Sequence, residues 1–283
     1  MIIQNNIAGI NASRNKGIAE GKMRKSLEKL SSGYRINRAG DDAAGLAISE
    51  LMRSQITGLN QAMRNVNDGI SMTQTGDGAL MEVHSMLERM KTLAVQSANG
   101  TYNSIARENL DAERMELFHE INRIGETSNF DEIPLFESEK PAGPIIEPPK
   151  RSDEIITLQI GHSDKELLDV PRYYMSVEGL ALEDMKFTTL DEANKAVSKI
   201  DIAIEAVADI RADFGAAQNH LEHTHNNLSV TSENMTSAES RIRDTNIAEE
   251  FTEFTKENIT FQAATSMSAQ ANSVPELVIS LLR

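Results

Sequence analysis

The residues best equipped for chemistry stand in the second half of the chain, where His220, His223 and His225 form the pattern H-x-x-H-x-H. At helical spacing His220 and His223 share a face and could offer two imidazoles to a metal. His225 points away, and no carboxylate accompanies the pair at a firm spacing. His119-Glu120 begins HEINR and lacks the second histidine that an H-E-x-x-H metalloprotease helix needs. Asp41-Asp42 and Glu249-Glu250 could divide acid and base work between them, but helix capping and a solvated face account for both pairs more simply. No glycine-rich loop follows a strand to cradle phosphate, and no G-x-S-x-G elbow occurs. Cysteine is absent, which removes disulfides, thiolate nucleophiles and thiolate metal sites in one step. The expectation is therefore no catalytic residue, no metal site, no cofactor and no enzyme.

The histidines ride on a stretch with a far stronger signal. From Ala193, steps of three and four reach Ala196, Ile200, Ala203, Val207, Ile210, Phe214, Ala217, Leu221, Thr224, Leu228, Thr231, Met235, Ala238 and Ile242, and only the threonines are not apolar. This unbroken heptad seam predicts one helix of about 75 Å that keeps a narrow stripe against a partner. Met52, Ile56, Leu59, Met63, Val66 and Ile70 form a second seam on a helix over 43–98. Beyond Leu80 that seam resumes at Val83, Leu87, Met90 and Ala94 after one extra three-residue step, a shift that overwinds a helix locally, here near Gly76 and Gly78.

The flanking segments are weaker. Residues 3–34 read as a helix that Gly9, Gly17 and Gly21 each weaken by about 1 kcal/mol, so it needs a partner to order it. Gly33 and Gly40 punctuate the chain before the second helix, with Asp41 and Asp42 able to cap it. A third helix, Ser104 to Thr127, places Leu110, Leu117 or Phe118, Ile121 and Ile124 on one face and is expected to run back along the longer one. Five of the seven prolines fall between Pro134 and Pro149, which predicts an irregular linker. Ile156, Leu158 and Ile160 then alternate with polar residues, with 172–177 as the expected partner strand. Thr189 to Glu192 has the spacing of a capping box. After Ile242, Phe251 and Phe254 open a further helix, along which Ile259, Ala263, Met267 and Ala271 carry an apolar stripe.

Composition narrows the partners. The net charge is −15, and 131–192 hold fifteen acidic against six basic side chains, so no basic face exists to release counterions from nucleic acid. The opening residues lack the basic and apolar regions of a cleavable signal, and no run is long enough to span a bilayer. Apolar ends of this kind stay disordered or wait for other subunits.

Four segments carry a resemblance. LSSGYRINRAGDDAAGLAISELMRSQI from Leu30, NVNDGISMTQTGDGAL from Asn65, ERMKTLAVQSANGT from Glu88, and SAESRIRDTNIAEEFTEFTKENI through the final SLLR closely resemble bacterial flagellin over about 1–130 and 190–283. What the resemblance implies is a mainly α fold: an elongated bundle of long coiled-coil-like helices with a small β-hairpin region and paired N- and C-terminal helices. It implies a subunit that self-assembles into the flagellar filament used for motility, outside the cell, after type III export without a cleaved signal. The implied organisation is an inner-tube helix and spoke over 1–42, rod helices over 43–130, a short variable hairpin region over 131–190 forming a small outward knob, a rod helix over 191–243 and an inner-tube helix over 244–283.

Polymerisation would then engage Ile3, Ile7, Ile10, Phe251, Phe254, Val278, Leu281 and Leu282. The implied partners are further copies of the chain, an export chaperone and the filament cap. A Toll-like innate receptor docks on the rod helices of many flagellins, at positions that match Arg89, Leu93, Gln96 and Glu113. Two departures from the family stand out: Asp131-Glu132 replaces the usual Asn-Gly, which puts the turn there in question, and Tyr34 replaces an aliphatic residue. A hook-filament junction protein and a secreted coiled-coil binding module remain open alternatives.

Overall fold

The computed structural model describes residues 6–137 and 151–281, apart from the side chains of 151, 153 and 274–281. Most of the expected proline-rich linker, together with Ile3 and Leu282, therefore lies outside the described residues. The elements in chain order are α1 (Ile7–Ser32), α2 (Ala43–Ser97), α3 (Ser104–Thr127), β1 (Asn129–Phe130), β2 (Ile133–Pro134), β3 (Arg151–Gln159), β4 (Leu167–Tyr173), α4 (Leu190–Arg243) and α5 (Ile247–Leu281). The fold is mainly α, and the chain divides into two compact units, Met1–Ile56 with Glu233–Arg283, and Thr57–Ser232.

The helix ends follow from their capping residues. Asn6 accepts from the Gly9 N–H, Asn103 from Ala106 at 2.8 Å, and Asp42 from Gly45 at 2.9 Å, each satisfying an orphan donor of a first turn. Gly33 closes α1 in the left-handed region at φ 75°, its N–H donating to the Lys29 carbonyl. At the start of α4 the Glu192 N–H donates to Thr189 Oγ1 at 3.3 Å, one arm of the expected capping box. Hydrogen bonds from the Thr188 and Thr189 hydroxyls hold the Glu192 carboxyl below its usual range.

In the 57–232 unit, α2 and α4 pair antiparallel. Asp77 meets Arg211 at 2.7 Å, Lys91 meets Asp201 at 2.6 Å, and Ser232 donates to Asn60. The seam positions on α4 from Ala193 through Phe214 are all buried, as is Leu221. On α2, Leu59, Val66, Leu80, Val83, Leu87, Met90 and Ala94 are buried in the frame the spacing predicts. Gly76 sits where the seam shifts because the Phe214 ring lies against it: a Cβ there would approach Cε1 to 2.9 Å. Helix α3 runs back along α2, with Arg89 paired to Glu113 at 2.7 Å and the Arg107 side chain donating to the Ser97 carbonyl. Phe118 and Ile121 enter the shared core.

The hairpin is present, with a correction to its register. Strand β3 pairs with β4 over 167–173, so that Ile156 faces Val170 and Leu158 faces Leu168, rather than with the expected 172–177. The larger departure concerns the next stretch. Met175, Leu180, Leu182, Met185 and Phe187 are each 2% exposed or less, so this irregular run is core rather than an outward knob. Side chains of the helices pin it: Asn122 accepts from the Val177 N–H at 2.8 Å, Asp111 accepts from the Phe187 N–H at 3.0 Å, and Ser97 donates to the Phe187 carbonyl at 2.6 Å. Burying that backbone without those partners would leave polar groups stranded.

The questioned turn does form. Asp131 and Glu132 link β1 to β2 with φ of 51° and 66°, the arrangement of a two-residue turn that favours Asn-Gly. A non-glycine residue in the left-handed region costs roughly 1–2 kcal/mol, and glycine gives part of that back in unfolded-chain entropy. Glu132→Gly is accordingly expected to stabilise the 57–232 unit by about 1 kcal/mol, read as a higher urea midpoint at constant slope. An unchanged or lower midpoint would mean that the turn carries no such strain.

Candidate assembly surface

In the other unit, α1 and α5 lie antiparallel. The Asn6 side chain donates to the Ala271 carbonyl at 2.8 Å, the Lys16 ammonium lies 5.9 Å from the Phe261 ring, Lys22 pairs with Glu257 at 3.5 Å, and Lys29 with Glu250 at 3.1 Å. The less exposed positions on α1 step by three and four through Gly9, Ala12, Lys16, Ala19, Met23, Ser26 and Leu30. On α5 they step likewise through Glu250, Phe254, Glu257, Phe261, Ala264, Ser268 and Ala271. This seam mixes small residues, the lysine stems and two shielded carboxylates with Met23, Leu30, Phe254 and Phe261, so it brings the helices together without using most of their large apolar side chains.

Those side chains are left outside. Ile7, Ile10 and Ile18 on α1, and Phe251, Ile259 and Met267 on α5, are all more than half exposed. Ala263 is exposed as well, completing an α5 stripe between Ile259 and Met267. Phe254 is half-buried in the seam, its ring 6.5 Å from that of Phe251. Val278 and Leu281 fall on α5, with their side chains outside the described residues. Two helices that meet along one narrow stripe while most of their large apolar side chains face outward depart from the usual amphipathic arrangement, as a surface awaiting a partner does.

The connection into α2 is tied within the same unit. Tyr34 forms an antiparallel bridge with Asp244, the Arg35 N–H donates to the Arg243 carbonyl at 2.7 Å, and the Thr245 N–H donates to the Gly33 carbonyl. The Arg243 guanidinium lies 4.8 Å from the Tyr34 ring centre and pairs with Glu50, which gives the departure at Tyr34 a cation–π role. The Lys25 hydrogen bond holds the Asp41 carboxyl below its usual range.

The chemically suggestive residues find plain roles. His220 and His223 are exposed on α4, and among the described residues no cluster of three His, Asp or Glu could hold a metal. Glu120 of HEINR hydrogen-bonds Arg123, which lowers its pKa. Of the receptor candidates, Arg89 and Gln96 are exposed and Glu113 partly so, whereas Leu93 is 1% exposed and packs in the core. Leu93 is therefore corrected from a contact to a packing residue. The α1–α5 ion pairs of Lys22 and Lys29 were missed from the sequence; their only signal is carboxylates recurring on the less apolar stripe of α5.

Comparison with known proteins gives this surface its setting. The model of the bacterial flagellin N-terminal helical region matches residues 3–140, and that of the bacterial flagellin C-terminal helical region matches 197–282. A flagellin of Halalkalibacterium halodurans is 47% identical, with all of both chains covered. The chain belongs to the bacterial flagellin family. A flagellin of Bacillus subtilis is 40% identical and the flagellar filament 33 kDa core protein of Treponema phagedenis 39% identical, again with both chains fully covered. As a flagellin it is a structural filament subunit of the extracellular flagellum rather than an enzyme. No helix among the described residues is long and apolar enough to cross a membrane.

Proposed function

We propose that this flagellin polymerises through the outer faces of the α1–α5 pair, with Ile3, Ile7 and Ile10 from one end and Phe251, Phe254, Val278, Leu281 and Leu282 from the other covered by neighbouring copies. The supporting observation is the stripe of exposed apolar side chains on helices whose mutual seam leaves most of their large apolar residues uncovered. Burying each of these side chains contributes about 1.5–3 kcal/mol, and a helical polymer covers them on every subunit. In this reading 1–42 and 244–283 form the inner tube, 43–130 and 191–243 the rod, and 131–190 a short insertion between them. An export chaperone would occupy the exposed ends before assembly, and a cap would guide addition at the growing tip.

Electron microscopy of concentrated purified protein tests this directly, with helical filaments as the expected result. Protein that stays monomeric and never seeds growth would point to a hook-filament junction role. A stoichiometric complex without polymer would point to a binding module.

A Toll-like receptor contact is the finer part of the proposal, now resting on Arg89, Gln96 and Glu113. The Arg89–Glu113 pair supports it by holding a bidentate-capable guanidinium in place across α2 and α3. Arg89→Ala is expected to weaken receptor binding about tenfold, the loss of one charge-assisted hydrogen bond. Equal affinity of the variant and the parent in a direct binding assay would remove this face from consideration.

A further inference from the structure

We propose that Met267 is an oxidation site whose conversion to the sulfoxide blocks addition of the free subunit to a filament. The inference rests on the assembly surface proposed above.

The chain has no cysteine, so its thioethers are its softest nucleophiles toward a two-electron oxidant. Exposure sorts them sharply. Met72, Met90, Met175 and Met185 are buried to 3% exposure or less, whereas Met81, Met115 and Met267 are exposed, and Met267 is the most exposed of these at 65%. Met81 and Met115 stand on α2 and α3 in the 57–232 unit, not on the end helices. Met267 alone of the three lies on the α5 stripe with Phe251, Ile259 and Ala263.

A hydroperoxide is the oxidant class the chemistry needs. A lone pair on the Met267 sulfur attacks one oxygen of hydrogen peroxide, a sulfur–oxygen bond forms as the oxygen–oxygen bond breaks, and the proton on the transferred oxygen passes to the departing hydroxide, leaving the sulfoxide and water. Sulfur loses two electrons and the peroxide gains them. The product replaces a flexible apolar tip with a strongly polar, hydrogen-bond-accepting one, and within an apolar contact that acceptor has no donor. A free subunit presents this sulfur to solvent, while a neighbour in the filament would shield it. Subunits in transit are thus the vulnerable form, and assembled filament the protected one.

The test treats full-length monomer with hydrogen peroxide and maps the added oxygen by peptide mass spectrometry. Met267 is expected to convert ahead of Met90 and Met175, and at least tenfold more slowly in assembled filaments than in monomer. Treated monomer is expected to need about tenfold more protein to assemble than untreated monomer. Sulfoxide reductases acting on both epimers should reverse that change. In Met267→Leu the treated-to-untreated ratio should fall to about one, each variant serving as its own reference, while Met81→Leu and Met115→Leu retain the tenfold ratio.

Conversion of Met267 no faster than of the buried methionines would overturn the site. Equal conversion in monomer and filament, or a treated-to-untreated ratio near one in the parent protein, would overturn the block on addition. Failure of untreated protein to assemble at all would instead count against the assembly surface itself, so the two failures are distinguishable.

Discussion

Arg114→Ala is expected to cost the 57–232 unit roughly 3–5 kcal/mol, the range for removing one partner of a buried, hydrogen-bonded ion pair. The Arg114 side chain is only 5% exposed and grips Asp111 with both arms of its fork, at 2.7 and 3.1 Å. Its guanidinium also lies 4.6 Å from the Phe118 ring and 5.7 Å from the Phe187 ring, so one side chain joins α3 to the irregular core segment. Asp111 completes the joint by accepting the Phe187 N–H, and removal of Arg114 leaves its carboxylate shielded with a single donor. Hydrogen exchange over 104–127 and 174–189 in the full chain, alongside urea unfolding, is the measurement, because α2 and α4 have residues in both units. Arg114→Lys keeps the charge but loses the fork, and should recover less than half of the loss. A cost within about 1 kcal/mol of the parent at pH 7 would mean that the pair is no more than decoration.

The same pair sets an acid dependence. Burial pushes the Asp111 carboxyl upward, but the Arg114 hydrogen bonds and the Phe187 N–H overcome it, and the net result is a lowered pKa. A carboxyl with a depressed folded value contributes stability in full above its unfolded value of about 3.9 and loses it as pH falls through the lower folded one. The stability gap between the parent and Arg114→Ala should therefore be constant from pH 7 to about pH 5 and narrow below pH 4. A gap that held steady down to pH 2 would assign the cost to lost ring packing alone.

Arg114 also marks where sequence reading reached its limit. The seams on α2 and α4 were legible because helical period and burial coincide there for many turns, and a one-residue error would have put Phe214 or Leu80 into water. The caps at Asp42 and Gly33 were legible for a similar reason: the backbone groups at a helix end accept few side-chain solutions. The segment 174–189 has no period to read. Met175, Leu180, Leu182 and Phe187 are buried by contacts with residues far away in the chain, and the donors and acceptors that make this possible, Ser97, Asp111 and Asn122, look like ordinary helix-surface residues until the segment lies on them. Leu93 was misjudged in the opposite direction, because a family motif groups it with exposed neighbours while its own heptad neighbourhood buries it. At the paired ends the apolar residues were visible, but which of them faced the partner helix was not. Gly9, Ala19 and Ser26 form the buried line on α1, so steric closeness rather than hydrophobicity chose the contact face.

That choice sets up the second large effect. The double variant Phe251→Asp with Ile259→Asp is expected to raise the concentration needed for assembly by more than a hundredfold while leaving the monomer's stability within about 0.5 kcal/mol of the parent. The monomer is spared because the two side chains are 59% and 62% exposed, and exposed positions tolerate such changes. Assembly is not spared: covering the exposed three-fifths or so of each apolar side chain contributes about 1–2 kcal/mol, and a carboxylate brought into an apolar contact adds a desolvation cost of several kcal/mol. Together these exceed the roughly 2.8 kcal/mol that corresponds to a hundredfold change. Ile105→Asp is the proper comparison, since Ile105 is 66% exposed in the first turn of α3, in the 57–232 unit and at a position that favours an acidic residue. It should assemble like the parent if the α5 stripe carries the contact. Should Ile105→Asp and the double variant raise the required concentration equally, surface charge in general would be the cause, and α5 would lose its claim to be the assembly face.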